Sequence, residues 1–231
     1  GVRLPKASCW RVLRWTWNGR MADCGLPTSM TTVFSVTESL FQRGSQYQQF
    51  RPTYPPSLFQ WLSNQSTGHH LALDLGCGSG QASRGLEPWF RQVLGADISH
   101  EQLLAAPASR SHYLLSMANR LPLADASLDL ITVAQAYHWF DQAAFHAEAQ
   151  RTLCPGGMLA LISYGVCEVT GLGSMIQDFH DGPLAPWWPP ERAQVVAGYP
   201  DADLPWPALT YPGDRITLDW SATDMLGYLD T

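Results

Sequence analysis

Three glycines alternate with small residues directly after an apolar run, in the stretch Leu73-Asp-Leu-Gly-Cys-Gly-Ser-Gly80. Glycine tolerates positive φ and has no side chain, so a ligand can approach such a backbone closely. A dinucleotide fingerprint, G-x-G-x-x-G, would need its third glycine at position 81, which is Gln81. No Gly-Lys-Ser/Thr follows, so the stretch is not a Walker phosphate loop either. The spacing that remains is acidic-x-Gly-x-Gly-x-Gly, in which Asp74 precedes Gly76.

A second acidic residue, Asp97, ends the next apolar run, Gln92-Val-Leu-Gly-Ala-Asp. At the end of a strand its carboxylate can accept hydrogen bonds from both hydroxyls of a ribose. Together, the glycines and this acid predict a site for an adenosine that carries no pyrophosphate.

The elements that must position these residues follow from the alternation of apolar runs with helical patterns. Strands are predicted at 71–75, 92–97, 112–116, 129–134 and 158–163, and helices at 81–90, 99–105 and 141–153. Each strand is apolar throughout, which is typical of a parallel sheet covered by helices on both faces. The fold class is therefore α/β, and ligands of such sheets bind at the carboxyl ends of the strands.

Residues 164–214 break this alternation. They hold many prolines and three tryptophans, Trp187, Trp188 and Trp206. Such a segment predicts an inserted lid and not another strand–helix unit. Inserted loops at the ligand edge commonly carry specificity, so we expect the lid to form the pocket for a second substrate.

The charge distribution separates the start of the chain from the rest. Residues 1–22 carry five basic and no acidic side chains, which leaves nine basic and 20 acidic residues in the remainder. We expect residues 1–29 to be a basic leader, disordered or absent from the mature protein, with a mitochondrial transit peptide and ordered structure as the alternatives. Residues 30–231 are predicted to form a single domain. A body this acidic disfavours a nucleic-acid partner, because backbone phosphates need neutralising cations.

Composition limits the remaining classes. Of 231 residues, 45% are apolar, yet no run of 18 apolar residues occurs, so no membrane-spanning helix is predicted. The five cysteines are scattered without a C-x-x-C pair, which argues against a disulfide framework and a metal site. Their usage favours a reducing compartment, the cytoplasm, or mitochondria if the leader is a transit peptide. The oligomeric state is left open.

Four segments together resemble the class I S-adenosylmethionine-dependent methyltransferases: "LDLGCGSG", "GADIS", "LPLADASLDLITVAQAYHWFD" and "LCPGGMLAL". The resemblance covers roughly residues 40–165, and the sequence is similar to the methyltransferase type 11 group. It is closer to a small-molecule branch that includes trans-aconitate methyltransferases. That branch carries a Y-x-x-x-R-P-x-Y-P segment, matched from Tyr47 to Pro55, and an A-Q-A-x-H-W-F-D segment, matched from Ala134 to Asp141.

The resemblance implies a Rossmann-like, doubly wound fold, the cofactor S-adenosyl-L-methionine and no metal. Its motifs assign cofactor binding to Asp74, Gly76, Cys77, Gly78, Gly80, Asp97, Ile98, Ala118, Asn119 and Gln135. They assign substrate binding to Tyr47, Arg51, Tyr54 and Trp139. The catalytic candidates are His138 and Gln135. Two positions depart from the family pattern, since Met117 and Asn119 stand where relatives have acidic residues.

The end of the chain also bears on the fold. Residues 215–220 are a candidate strand, and Ser221 or Thr223 is expected to cap a helix that begins at Asp224. No stop signal precedes Thr231. In the family that this sequence resembles, a last strand inserts antiparallel near one edge of the sheet. We expect this strand to be missing here and the edge of the sheet to be unpaired.

Several residues keep two interpretations. Asp74 either orients the glycine loop or reaches the methionine part of the cofactor through water. His138 is either a general base or a packed ring, and Arg51 either clamps a substrate carboxylate or fixes the N-terminal segment. The predicted function is methyl transfer to a small-molecule acceptor, with a carboxylate as one candidate. The alternatives are a protein acceptor and a catalytically silent cofactor-binding partner protein.

Overall fold

The computed structural model describes residues 2–3, 10–14, 51–172, 174–199, 204, 206, 208–212 and 216–229. Its strands are β1 Val2–Arg3, β2 Trp10–Arg14, β3 Leu71–Leu75, β4 Gln92–Asp97, β5 His112–Leu115, β6 Leu128–Ala134, β7 Leu153–Ile162, β8 Glu168–Val169, β9 Ala208–Thr210 and β10 Thr217–Leu218. Its α-helices are α1 Pro56–Gln65, α2 Gln81–Leu86, α3 His100–Leu104, α4 Gln142–Thr152, α5 Met175–Asp181, α6 Arg192–Ala197 and α7 Ala222–Leu229. Two 3₁₀ turns lie at Tyr137–Trp139 and Ala185–Trp187.

The main sheet has seven strands in the order β5-β4-β3-β6-β7-β2-β9. The first five pair in parallel, with Leu73 opposite Leu94 on one side and Ile131 on the other. The order reverses between β3 and β6, so the carboxyl ends of these strands flank the crevice where such sheets bind ligands. The predicted α/β fold with a Rossmann-like parallel sheet is confirmed.

Successive side chains of the central strands enter two separate cores. Leu73 and Leu75 of β3 pack on one face with Tyr137 and Phe145, whereas Ala72 packs on the other face with Leu58 of α1. The alternation arises because neighbouring side chains of a strand point to opposite faces. Helices therefore cover both faces of the sheet and leave its carboxyl edge for the site.

Side-chain caps mark the first turn of three helices. The Ser99 hydroxyl accepts a hydrogen bond from the N–H of Gln102 at 3.4 Å, as predicted for α3. The Asp141 carboxylate accepts from the N–H of Ala144 at 3.2 Å and starts α4. At the last helix the structure selects Ser221 of the two predicted caps, since its hydroxyl accepts from the N–H of Asp224.

Strand β7 differs from the prediction at its start. The strand was expected from residue 158, after a Pro-Gly-Gly turn, but it already begins at Leu153. Leu128 pairs with Leu153 and Leu130 pairs with Met158, so the extra residues of β7 are accommodated by a register shift. A bulge of this kind tolerates proline and glycine inside a strand.

Strand β2 occupies the position beside β7. Trp10–Arg14 pairs antiparallel with Met158–Ile162 and, on its other side, with β9. The expectation of an unpaired edge next to the fifth parallel strand is therefore wrong, because this N-terminal segment satisfies the hydrogen bonds of β7. The structure also differs from the expected disordered leader at the described residues 2–3 and 10–14, which are strands.

The described residues of segment 164–214 include the short helices α5 and α6, with the 3₁₀ turn Ala185–Trp187 between them. It is not another strand–helix unit, but its strand β9 joins the main sheet. Strands β1, β8 and β10 form a separate three-stranded sheet. None of the described helices has the length and apolar character needed to cross a membrane.

Candidate active site

The glycine loop follows β3 directly, and all three of its glycines have positive φ, from 52° to 78°. The backbone N–H groups of Gly76 and Cys77 donate to the carbonyl oxygen of Ala96 at 2.8 and 3.1 Å, which fixes the loop against β4. A Cβ on Gly76 would lie 2.5 Å from the Cβ of Ala136. Only glycine combines this φ with so close an approach to the chain after β6.

Asp97 lies at the end of β4, as predicted. One carboxylate oxygen accepts from the N–H of Gly78 at 2.7 Å, and the other accepts from the N–H of Ser99 at 2.8 Å. Burial raises the pKa of Asp97, and these backbone bonds oppose the rise. A carboxylate offers about four acceptor positions, so this one retains capacity for two hydroxyl groups of a ligand.

Asp74 lies behind the loop and not in the crevice. Its side chain is fully buried and accepts from the hydroxyls of Ser83 at 2.7 Å and Thr132 at 3.2 Å. Burial raises its pKa to about 6. These contacts correspond to the interpretation in which Asp74 orients the loop. A contact of Asp74 with the cofactor through water stays a prediction. Both hydroxyl partners were missed in the sequence, because neither belongs to a motif.

Two apolar side chains stand exposed beside Asp97. Ile98 is 58% exposed and Met117 is 52% exposed, in contrast to the buried strands around them. Met117 pairs with Arg120 across a tight turn that presents Ala118 and Asn119. Exposed apolar side chains next to Asp97 provide a surface on which a flat base can pack. Cofactor binding by Ile98, Ala118 and Asn119 stays a prediction.

Gln135 directly follows β6 and has a left-handed conformation, with a φ of 56°. Its backbone N–H donates to the carbonyl oxygen of Ile162 at 2.8 Å, and its side-chain amide donates to that of Tyr164 at 3.1 Å. Non-glycine residues adopt this conformation at a cost and concentrate at functional sites. The next residue, Ala136, contacts Gly76, so Gln135 lies beside the glycine loop.

His138 and Trp139 lie in the 3₁₀ turn after β6, with ring centroids 4.6 Å apart. The Nδ1 atom of His138 lies 3.1 Å from the hydroxyl of Tyr199. Burial and, second, the positive charge of Arg192 lower the pKa of His138 to about 4. Tyr199 and Arg192 come from the lid segment and were missed in the sequence. The one available signal was the Gly198–Tyr199 pair after a helical stretch.

Residues 51–54 contact the helix that follows the glycine loop. The carbonyl oxygen of Pro52 accepts from the side-chain amide of Gln81, the first residue of the helix after the glycine loop, at 3.1 Å. The guanidinium of Arg51 lies 5.5 Å from the ring centroid of Tyr228 in α7. Tyr54 packs against the ring of Tyr164 at 6.3 Å. Tyr47 lies outside the described residues, and its predicted role stays a prediction.

Comparisons with known proteins decide the family. A family model described as "Methyltransferase domain" matches residues 73–161, which include the glycine loop, Asp97 and Gln135. A Dictyostelium discoideum protein named as a methyltransferase is 34% identical over 188 residues, which cover 79% of this chain and 72% of that protein. The chain belongs to the class I S-adenosylmethionine-dependent methyltransferases. It is a methyltransferase, and S-adenosyl-L-methionine is its cofactor.

Two further relatives of this methyltransferase agree with that assignment. A solved structure of a type II methyltransferase from Anaeromyxobacter dehalogenans is 39% identical, covers 79% of this chain and 78% of its own, and superposes with a TM-score of 0.72. A protein of Dechloromonas aromatica is named as a malonyl-[acyl-carrier protein] O-methyltransferase. It is 39% identical over 116 residues, which are 48% of this chain and 43% of that protein.

The described residues fit the cofactor. Asp97 retains acceptor capacity for ribose hydroxyls, the glycine loop admits a ligand close to its backbone, and Ile98 offers an apolar surface for adenine. Within the described parts of the chain, no three His, Cys, Asp or Glu side chains converge as metal ligands would.

Proposed function

We propose that this methyltransferase transfers the methyl group of S-adenosylmethionine to a carboxylate oxygen of a small-molecule acceptor. The observation that carries the proposal is the positive charge of Arg192, which is near enough to His138 to lower the pKa of that imidazole and so favour its neutral form. The guanidinium of Arg192 lies 4.1 Å from the ring centroid of Trp188, and its Nε donates to Nε2 of His180 at 3.2 Å, so the cation is held in place. A fixed cation next to an uncharged imidazole attracts an anionic acceptor and gives no advantage to a neutral one.

Two sequence features support the same choice. The Y-x-x-x-R-P-x-Y-P and A-Q-A-x-H-W-F-D motifs favour the branch that includes trans-aconitate methyltransferases, whose substrate is a carboxylic acid. The relative named as a malonyl-[acyl-carrier protein] O-methyltransferase acts on an acyl group that carries a free carboxylate. Arg51, whose guanidinium packs over the ring of Tyr228, is a second cation, which the Y-x-x-x-R-P-x-Y-P motif assigns to the substrate.

The chemistry asks little of the protein beyond placement. When bound, the cofactor supplies a methyl group activated by a sulfonium charge. Methylation forms an oxygen–carbon bond and breaks the carbon–sulfur bond, and an acceptor carboxylate has no proton to lose. The residues then act by binding and alignment: Asp97 holds the ribose, Gln135 and the glycine loop border the methionine part, and the lid excludes water.

The first test is calorimetric titration of the protein with S-adenosylmethionine and S-adenosylhomocysteine. Asp97→Asn removes the charge that accepts hydrogen bonds from ribose hydroxyls. A hydrogen bond to a charged group contributes about 1.5–3 kcal/mol, so the dissociation constant should rise about 10- to 150-fold. Glu101→Gln is the control, because this exposed carboxylate lies on α3 only four residues away. Equal affinities of both variants would contradict the assignment of the ribose site.

The acceptor is tested with malonate and radiolabelled S-adenosylmethionine. We expect transfer of label to an extractable ester, and loss of transfer in Arg192→Gln with cofactor affinity unchanged. Transfer to phenols or amines but not to small carboxylates would refute the carboxylate assignment. Label found only in protein would favour a protein acceptor.

A further inference from the structure

Tyr199 is a lid residue whose side chain points into the core beneath the site. It follows Gly198 at the end of α6, and both residues are left-handed, with φ values of 74° and 55°. Its backbone N–H donates to the carbonyl oxygen of Gln194 at 2.9 Å. The side chain is only 2% exposed and packs edge-on against the ring of Tyr137, with centroids 5.1 Å apart. This packing fixes the hydroxyl at its 3.1 Å distance from Nδ1 of His138.

The direction of this hydrogen bond follows from the burial of Tyr199. Burial raises the pKa of Tyr199, so its hydroxyl keeps its proton. Among the described residues, Nδ1 of His138 is the one acceptor recorded within hydrogen-bond distance of that proton. If Nδ1 carried the imidazole proton instead, the buried hydroxyl proton would have no acceptor, at a cost of about 1–3 kcal/mol. Tyr199 therefore donates, and Nδ1 accepts.

A neutral imidazole has one proton, so a lone pair at Nδ1 places that proton on Nε2. We infer that Tyr199 holds His138 in the Nε2–H tautomer, which makes His138 a hydrogen-bond donor to the acceptor carboxylate and not a general base. The inference deepens the proposed function and rests on it for the identity of the acceptor. Tyr199 is a positioning residue, since it acts through the imidazole.

The surroundings of His138 support a donor. The groups that face it are the Trp139 and Tyr199 rings and, from α6, the cation of Arg192. None of these carries a negative charge that would pair with an imidazolium, and the pKa of about 4 keeps the ring neutral at pH 7. Among the described residues Nε2 of His138 has no hydrogen-bond partner, and this atom is not buried away from solvent. The Nε2–H group is therefore available to a ligand.

To act as a general base, Nε2 would need a free lone pair, but in this tautomer Nε2 carries the proton. Acceptors that must lose a proton, such as phenols, alcohols and amines, gain nothing from this tautomer. A carboxylate gains a hydrogen bond from Nε2–H and is attracted by the positive charge of Arg192, which acts on the same imidazole. The lid thus selects the acceptor class through the tautomer that it imposes on His138.

The test is nitrogen NMR of histidine-labelled protein bound to S-adenosylhomocysteine, in which the two ring nitrogens of His138 report which one is protonated. The His138 signal is assigned by its loss in His138→Gln. We expect protonated Nε2 and unprotonated Nδ1 from pH 6 to 8, and a mixture of tautomers in Tyr199→Phe. Tyr137→Phe is the matched control, because the Tyr137 hydroxyl contacts His146 at 2.9 Å and not His138. Its His138 signals should match those of the wild type.

Two results would overturn the inference: a proton on Nδ1 in the wild-type protein, or an unchanged His138 tautomer in Tyr199→Phe. Neither measurement needs turnover, so its outcome is separate from that of the malonate methylation assay. Malonate added to the S-adenosylhomocysteine complex should shift the Nε2 proton of His138. His138→Gln, which keeps a side-chain N–H but cannot act as a base, should retain more malonate methylation than His138→Ala. Equal loss in both variants would contradict the donor role.

Discussion

The glycine loop offers a sharp test of its packing, because one ring occupies the space beneath it. The Tyr113 side chain lies against both Gly80 and Gly95. A Cβ on Gly80 would overlap the Tyr113 hydroxyl and lie 2.6 Å from its Cζ, and the φ of Gly80 is 78°. The left-handed conformation costs a side-chain-bearing residue about 1–2 kcal/mol, and the overlap adds about 1–3 kcal/mol. Gly80→Ala should therefore lower the free energy of unfolding by about 2–5 kcal/mol.

Gly78→Ala is the matched control for this substitution. Gly78 is also left-handed, with a φ of 52°, but its nearest neighbour would be Oε1 of Gln102 at 3.7 Å, an ordinary contact. Only the conformational cost of about 1–2 kcal/mol should appear. Urea denaturation of both variants, monitored by tryptophan fluorescence and circular dichroism, gives the two values. Equal losses for Gly80→Ala and Gly78→Ala would refute the steric part of the reasoning.

A double-mutant cycle isolates that steric part. In a Tyr113→Ala background the ring is gone, so Gly80→Ala should cost only its left-handed conformation. The expected coupling between the two positions is about 1–3 kcal/mol, since the residues are in direct contact. A coupling near zero would show that the Tyr113 ring moves aside freely.

Two further predictions concern the fully buried Asp74 and the partly exposed Arg151, both outside the crevice. Asp74 has a folded-state pKa of about 6 against an ordinary value of 3.8, so its favourable contribution to stability is present at low pH and is lost as the pH rises through 6. The difference of about 2 corresponds to about 3 kcal/mol, and Asp74→Asn should remove this pH dependence from denaturation curves recorded between pH 4 and 7. Parallel curves for variant and wild type would contradict it. Arg151 donates to Glu148 at 2.7 Å and to the carbonyl oxygen of Leu121 at 3.2 Å. Arg151→Lys loses this fork and should cost about 1–3 kcal/mol in denaturation, whereas Arg91→Lys, on an exposed site, should cost nothing measurable.

The sequence predicted those site residues that lie at the end of a strand or directly after it. The glycine loop and Asp97 follow two strands directly, so the strand pattern alone placed them at the carboxyl edge. Asp74 was harder, because its burial depends on Ser83 and Thr132, which only the folded sheet brings to it. The spacing of an acidic residue before glycines looks the same whether the acid faces the ligand or the core.

The lid residues could not be predicted for a different reason. Tyr199 lies 61 residues from His138 in the chain, and no periodic pattern connects a lid to a catalytic turn. The position of Trp10–Arg14 was likewise hidden, because a basic segment with an apolar centre is compatible with a leader or an inserted strand. Pairing partners in a sheet are chosen by the whole fold and not by the local sequence.

The placement of β2 sets an order of events during synthesis. Trp10 pairs with Ile162, so about 150 residues must be made between a strand and its partner. At roughly 5–20 residues per second, the N-terminal strand leaves the ribosome on the order of 10–30 s before β7 exists. The parallel strands β3 to β6 can assemble in that interval, and β2 must reach an edge that forms late. Pairing between strands far apart in the sequence slows folding. During synthesis β2 therefore stays unpaired, and available to chaperones, until β7 has been made.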